Sequence, residues 1–169
     1  MRDYTRQDNI ERHKNKAQTL PFSLCCVNFM FDGNLGFAIR SAACFGVSEV
    51  LVIGAPPSHK LLLRESAGTY PHLNIRYFKT TAEVLAYTRN MKRVSLELTP
   101  EATALEDYEF VFYKQTCFFV GHETLGVPAD ILFASDVVMI DHQGFGPCLN
   151  TSQAATVAMY EYSKQWSRQ

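Results

Sequence analysis

The sequence predicts an α/β fold, a mostly parallel sheet with helices on both faces. Three observations carry this. Short apolar, β-branched runs alternate with stretches of helical periodicity from about residue 24 onward, as strand–helix–strand units require. Three of these runs end in glycine-bearing turns with polar side chains: residues 34–40 (NLGFAIR), 121–126 (GHETLG) and 144–152 (GFGPCLNTS). The last turn leads into a helix whose first residues, Asn150, Thr151 and Ser152, are all good caps. In an open α/β sheet, ligands bind at such strand ends.

The elements follow in order. Residues 1–20 are polar and read as an arm or short helix. Residues 24–29 make a first strand. A helix over 34–45 has Ile39, Ala42, Ala43 and Phe45 on its apolar side and stops at Gly46. A strand over 49–53 meets the turn Gly54-Ala55-Pro56-Pro57, which opens a short helix over 58–64. A strand over 74–78 precedes a helix over 80–90, capped by Thr80 or Thr81 with Glu83 nearby. A strand over 93–98 leads into the least regular segment, 99–110, expected to be an active-site or interface loop. Strands over 117–120 and 137–140 flank a short helix over 128–133, and 150–166 is the final helix. Without internal repeat or linker, residues 1–169 read as one domain.

Composition sets limits on function. The chain is 47% hydrophobic and 20% charged, with a net charge of -1. No apolar run approaches the roughly 20 residues of a membrane span, and residues 1–16 lack the apolar core of a signal peptide. A cytoplasmic protein without membrane contact is expected. Near-neutral charge argues against a strongly basic nucleic-acid surface. A locally basic face stays open, because Lys60, Arg64, Arg76, Lys79, Arg89, Lys92 and Arg93 cluster in the middle of the chain. The five cysteines include no C-x-x-C pair, so neither zinc nor a disulfide framework is indicated. Cys25, Cys26 and Cys117 lie in apolar runs and are expected to pack as small hydrophobes, whereas Cys148 sits in the third turn.

Several familiar patterns fail on inspection. Gly144-x-Gly146 lacks the third glycine of a dinucleotide fingerprint and follows the wrong strand. His122-Glu123 lacks a second histidine four residues on, where Gly126 stands. His13, His59, His72 and His142 have no ligand spacing and are expected at the surface or in packing, so no metal is expected. There is no P-loop and no G-x-S-x-G.

The three turns together resemble the motifs of the SpoU/TrmH family of RNA ribose 2'-O-methyltransferases, within the SPOUT class. The first is carried by Asn34, Gly36, Arg40, Phe45 and Gly46. The second is Gly121, Glu123 and Gly126. The third is Ile140, Gly144 and Cys148-Leu149-Asn150, where the family has Ser-Leu-Asn. The resemblance runs from about residue 24 to residue 166. It implies a C-terminal trefoil knot, an exception to unknotted topology. It also implies S-adenosylmethionine as cofactor, a homodimer with a shared site, and RNA as substrate, tRNA ahead of rRNA. The added RNA-binding domain that many members carry is not expected here.

By the same resemblance, Gly121, Ile140 and Leu149 hold the cofactor, largely through backbone groups, and Arg40, Asn34, Glu123, Cys148 and Asn150 form the catalytic set. Guanidinium resists deprotonation. Arg40 is therefore expected to hold the RNA phosphate and the ribose hydroxyl, with phosphate oxygen or water taking the proton. Asn34 is expected to cap its helix, Glu123 to pair with Asn34 or Arg40, and Asn150 to cap the last helix while pointing its amide into the site. Cys148 replaces a strong hydrogen-bond donor with a weak one. A catalytically silent knotted RNA-binding or interaction protein is the rival that Cys148 and the near-neutral charge allow.

Overall fold

The strand β1 (Leu20–Val27) reads LPFSLCCV, and all of it except Pro21 is buried. A strand buried on both faces belongs at the centre of a parallel sheet, and β1 lies there. The computed structural model describes Asp8, Glu11, Arg12 and residues 15–169. It forms one seven-stranded sheet in the order β3-β2-β1-β6-β4-β7-β5. The other strands are β2 (Val47–Ile53), β3 (Ile75–Phe78), β4 (Lys92–Leu96), β5 (Thr103–Ala104), β6 (Thr116–Val120) and β7 (Asp136–Met139). Every pairing is parallel, so all seven strands end on the same edge.

Helices cover both faces. On one, α1 (Asp32–Cys44), α2 (His59–Glu65) and α5 (Thr151–Trp166) bury Leu35, Ile39, Leu62, Ala158 and Tyr162 against Phe22, Leu24 and Phe118. On the other, α3 (Thr81–Tyr87) and α4 (Ala129–Phe133) bury Val84 and Ile131 against Cys25, Leu51, Cys117 and Phe119. The alternation of side chains along β1 and β6 sorts residues between these two cores. Cys25, Cys26 and Cys117 pack as expected, fully buried, and burial pushes all three thiols well above the usual range.

Two expectations are revised. β1 begins at Leu20 rather than residue 24, because Pro21 stands next to the strand's start, where its missing N–H costs little. The segment 99–110 is not an open loop. Its Thr103–Ala104 pair forms β5 against β7. Leu105 and Phe110 are buried, and the Phe110 ring lies 5.1 Å from that of Tyr162, so the segment covers the core. The expected arm, 1–20, falls largely outside the described residues; Asp8, Glu11 and Arg12 are helical, and Leu20 belongs to β1.

Among the described residues no helix is long and apolar enough to cross a membrane. None of their His, Cys, Asp and Glu side chains form a group of three or more that could hold a metal ion.

Candidate active site

The parallel sheet brings the ends of β4, β6 and β7 to one edge beside the start of α5. Between them lies a cavity of about 410 Å³, within the range of roughly 300–1,000 Å³ typical of cofactor sites. Glu97 and Leu98 after β4, residues 121–124 after β6, Ile140 after β7 and residues 147–151 all line it. Gly121, Ile140 and Leu149 are thus together on its wall, as are Glu123, Cys148 and Asn150.

Polar side chains join the three turns. Asn150 is the N-cap of α5, its Oδ1 accepting from the Ser152 N–H at 2.9 Å and the Ser152 hydroxyl at 2.7 Å. That fixes its amide. Asn150 Nδ2 donates to Asn34 Oδ1 at 3.1 Å, and Asn34 Nδ2 donates to Glu123 Oε1 at 2.5 Å. Glu123 also accepts the backbone N–H groups of Met30 at 2.7 Å and Phe31 at 3.3 Å. Burial alone would raise the Glu123 carboxyl, but the donors Asn34, Met30 and Phe31 hold it below its ordinary value. It is a poor proton acceptor and a good anchor.

Asn34 does not cap its helix. α1 starts earlier, at Asp32, with Phe31 in the cap position and no side-chain cap bond. Asn34 is buried on the inner face of the first turns, free to serve Glu123 and Asn150. Arg40 is exposed, makes no hydrogen bond or ion pair with a described residue, and does not line the cavity. Of the two expected partners for Glu123, Asn34 is the one present. Cys148 is exposed on the cavity wall, and the cavity it lines does not include Arg40. A neighbouring groove of about 450 Å³ shares Asn150 with the cavity and is lined by Asn34, Phe37 and Gln153. Arg40 lies one turn past Phe37 on α1.

Gly121 has a structural reason of its own. A Cβ there would overlap the Gly126 carbonyl and the Val127 nitrogen, because the turn folds back on itself: His122 N–H donates to Gly126 O at 3.1 Å and Gly126 N–H to His122 O at 2.9 Å. The turn's own backbone thus excludes a side chain at 121, whatever the turn binds.

Sequence reasoning passed over two cavity residues. Glu97 enters the sequence reading only within the strand over 93–98, yet it lines the cavity. A charge directly after the buried end of a strand, Val94 to Leu96, is the signal that marks it. His142, expected as surface or packing, is exposed, but it also lines the cavity. Nε2 lies 2.8 Å from Gly146 O and Nδ1 3.3 Å from Ile140 O.

The residues fit an adenosyl group. Leu96, Leu98, Val138, Ile140, Leu149 and Ala154 give apolar wall for a flat base, and Glu97, Asn150 and Thr151 supply polar atoms at its side.

Comparisons with known proteins agree. The model of the SpoU rRNA Methylase family matches residues 21–160. The chain is 23% identical over 133 residues to the tRNA (guanosine(18)-2'-O)-methyltransferase of Escherichia coli K12, covering 78% of this chain and 58% of that protein. It is 25% identical over 168 residues to the 23S rRNA (uridine(2479)-2'-O)-methyltransferase of Streptomyces viridochromogenes, covering 92% of this chain and 58% of that one. The chain thus matches under two thirds of the length of these relatives. Among solved structures, an RNA 2'-O ribose methyltransferase superposes with a TM-score of 0.78 at 29% identity, covering 89% of this chain and 59% of that one. The A. aeolicus TrmH/SpoU tRNA modifying enzyme shares the fold, with a TM-score of 0.79 at 21% identity over 96% of this chain and 84% of that one.

Proposed function

The chain belongs to the SpoU rRNA methylase family, and from that premise we propose that it is an S-adenosylmethionine-dependent RNA ribose 2'-O-methyltransferase acting on tRNA. The observation that carries the reading is the bonded chain from Asn150 through Asn34 to Glu123. It ties the starts of α1 and α5 to the turn after β6, beside one cavity that fits the cofactor.

When bound, S-adenosylmethionine supplies an electrophilic methyl group on a sulfonium. The protein's work is placement. Gly121, Ile140 and Leu149 shape the cofactor wall. The amide chain holds Asn34 and Asn150 by hydrogen bonds, and Glu123 anchors it as an ionised carboxylate rather than as a base. Arg40 holds the 2'-hydroxyl and the adjacent phosphate. With the cofactor bound, its sulfonium would give the methyl group to the 2'-oxygen, and the hydroxyl proton would pass to phosphate oxygen or water. Cys148, where relatives by motif carry serine, donates a weaker hydrogen bond.

The proposal includes a cytoplasmic enzyme, a single domain with a C-terminal trefoil knot, and a homodimer. Arg40 stands outside its own chain's cavity, so a second copy can complete the site. The small residues Ala155 and Ala158 of α5 are fully buried within the chain. The apolar surface left on that side is Phe37 at 47% exposure, Val157 at 37% and Tyr160 at 55%. The tRNA preference follows the guanosine(18) relatives. The relative named for 23S rRNA, aligned over most of this chain, makes rRNA the second reading.

The test is transfer of labelled methyl from S-adenosylmethionine to tRNA and rRNA pools, followed by digestion to nucleosides. Label in a 2'-O-methylnucleoside of tRNA is expected. Label only in rRNA selects the second reading, and label on a base, or none with protein that binds the cofactor, overturns the ribose assignment.

A further inference from the structure

Two carboxylates line the cavity, and they are differently committed. Glu123 spends its two oxygens on three donors, from Asn34, Met30 and Phe31. Glu97 carries one donor on each: its Oε2 accepts the Val127 N–H at 2.8 Å and its Oε1 accepts the Leu98 N–H at 3.0 Å. A carboxylate has about four lone-pair sites, so each Glu97 oxygen retains one.

The side chain is held firmly. Glu97 N–H donates to Val138 O at 3.0 Å, which extends the β4–β7 ladder through the residue. On the other side, Gly126 has a left-handed φ of +68°, and a Cβ there would overlap Glu97 Oε2. Glycine at 126 leaves room for the carboxylate. Among the described residues no cation pairs with Glu97. The result is a half-buried, preorganised, two-oxygen acceptor, set between Leu96 and Leu98 on the wall of the cavity.

An adenosyl group carries one matching feature, the vicinal 2',3'-diol of its ribose, with two O–H donors on adjacent carbons. We propose that Glu97 accepts both hydroxyls of that diol, one on each oxygen, and so selects a ribonucleoside cofactor and sets its depth in the cavity. This rests on the cofactor reading above. Two roles are thereby combined in one side chain: its inner lone pairs fasten the turn at 126–127 to the end of β4, and its outer pairs face the ligand.

Calorimetric titration with S-adenosylhomocysteine, 5'-methylthioadenosine and the 2'-deoxy and 3'-deoxy forms of 5'-methylthioadenosine tests this on wild type, Glu97→Gln and Glu97→Asp. Removing either hydroxyl is expected to weaken wild-type binding by about tenfold, near 1.4 kcal/mol. Glu97→Gln is expected to bind the parent nucleoside about tenfold more weakly and to bind both deoxy forms within about threefold of it. Glu97→Asp keeps the charge with a shorter reach and is expected to fall between. Unfolding midpoints without ligand check the fold. Should Glu97→Gln not fold, the Asp variant carries the comparison. An equal deoxy penalty in wild type and variant overturns the proposal, as does no penalty in wild type. Loss of S-adenosylhomocysteine affinity in the variant with 5'-methylthioadenosine unaffected overturns it too, placing Glu97 at the amino-acid end. Wild type that binds none of these ligands overturns the cofactor reading with it.

Discussion

Two glycine turns frame the cavity, and the sequence writes them alike, but the structure builds them differently. The turn at 121–126 is closed on itself by paired backbone hydrogen bonds. His122 Nδ1 takes the Thr124 N–H at 3.1 Å, and Glu97 holds Val127 from behind. A Cβ at Gly121 would overlap backbone, and one at Gly126 would overlap the Glu97 carboxylate. The turn at 144–150 is exposed throughout, and a Cβ on Gly144 or Gly146 would meet nothing within 4 Å. Its one cross-turn tie is the His142 ring on Gly146. The first turn is therefore a wall shaped by the interior. The second is anchored only at its ends, by β7 and by the Asn150 cap, and is left to take its shape from what binds.

The sharpest way to break this contrast is a matched pair of substitutions. Gly121→Ala forces a methyl group into backbone that cannot yield, and it is expected to cost about 3 kcal/mol of stability or more in urea unfolding. Gly144→Ala is expected to change stability by less than about 0.5 kcal/mol. Equal effects at the two glycines would erase the distinction.

A second comparison runs along α1. Asn34 at its start is buried and fully bonded, while Arg40, six residues on, is exposed and unpaired among the described residues. Arg40→Ala is expected to lower methyl transfer by about 10²-fold or more, the scale of lost positioning, with cofactor affinity and unfolding midpoint unchanged. A weakened cofactor titration would place Arg40 in the cofactor site instead. A smaller effect belongs to Cys148. Cys148→Ser is expected to keep or raise turnover and Cys148→Ala to lower it, read in the same assay.

The smallest effect concerns the tie across the open turn. The Gly146 carbonyl first, then that of Ile140, raises the His142 ring above its usual value, with Asp141 adding to this. Both ring nitrogens face carbonyl oxygens, and only the imidazolium donates from both. The folded-state value is raised, so the tie is fully present below about 6.5, the ordinary histidine value, and is lost as pH rises through the higher folded value. An NMR titration of His142 should give a midpoint above 6.5. A midpoint at or below that removes the tie.

Much of this was legible in the sequence, for local reasons. The strands along the sheet's centre announce themselves by unbroken apolar runs, and Ser58, Thr80 and Asn150 are caps as their chemistry suggests. β5 was not legible, because two residues show no period. Asn34 was misread as a cap because Phe31 and Asp32, which start the helix, carry no capping signal that outranks an asparagine. Glu97 and His142 were passed over because their partners, Val127 and Gly146, are backbone groups brought up by tertiary closure, and no side-chain pattern records such a meeting. Likewise, motif spacing marks Glu123 but gives no hint that Met30 and Phe31 occupy its carboxylate.

The most direct test of the account is amide hydrogen exchange with and without saturating S-adenosylhomocysteine. The account predicts strong new protection across residues 141–149 and little change at 121–126, which is already hydrogen-bonded. Exchange in 141–149 that is unaffected by bound S-adenosylhomocysteine would contradict it, placing the ligand outside the cavity between β4, β6 and β7.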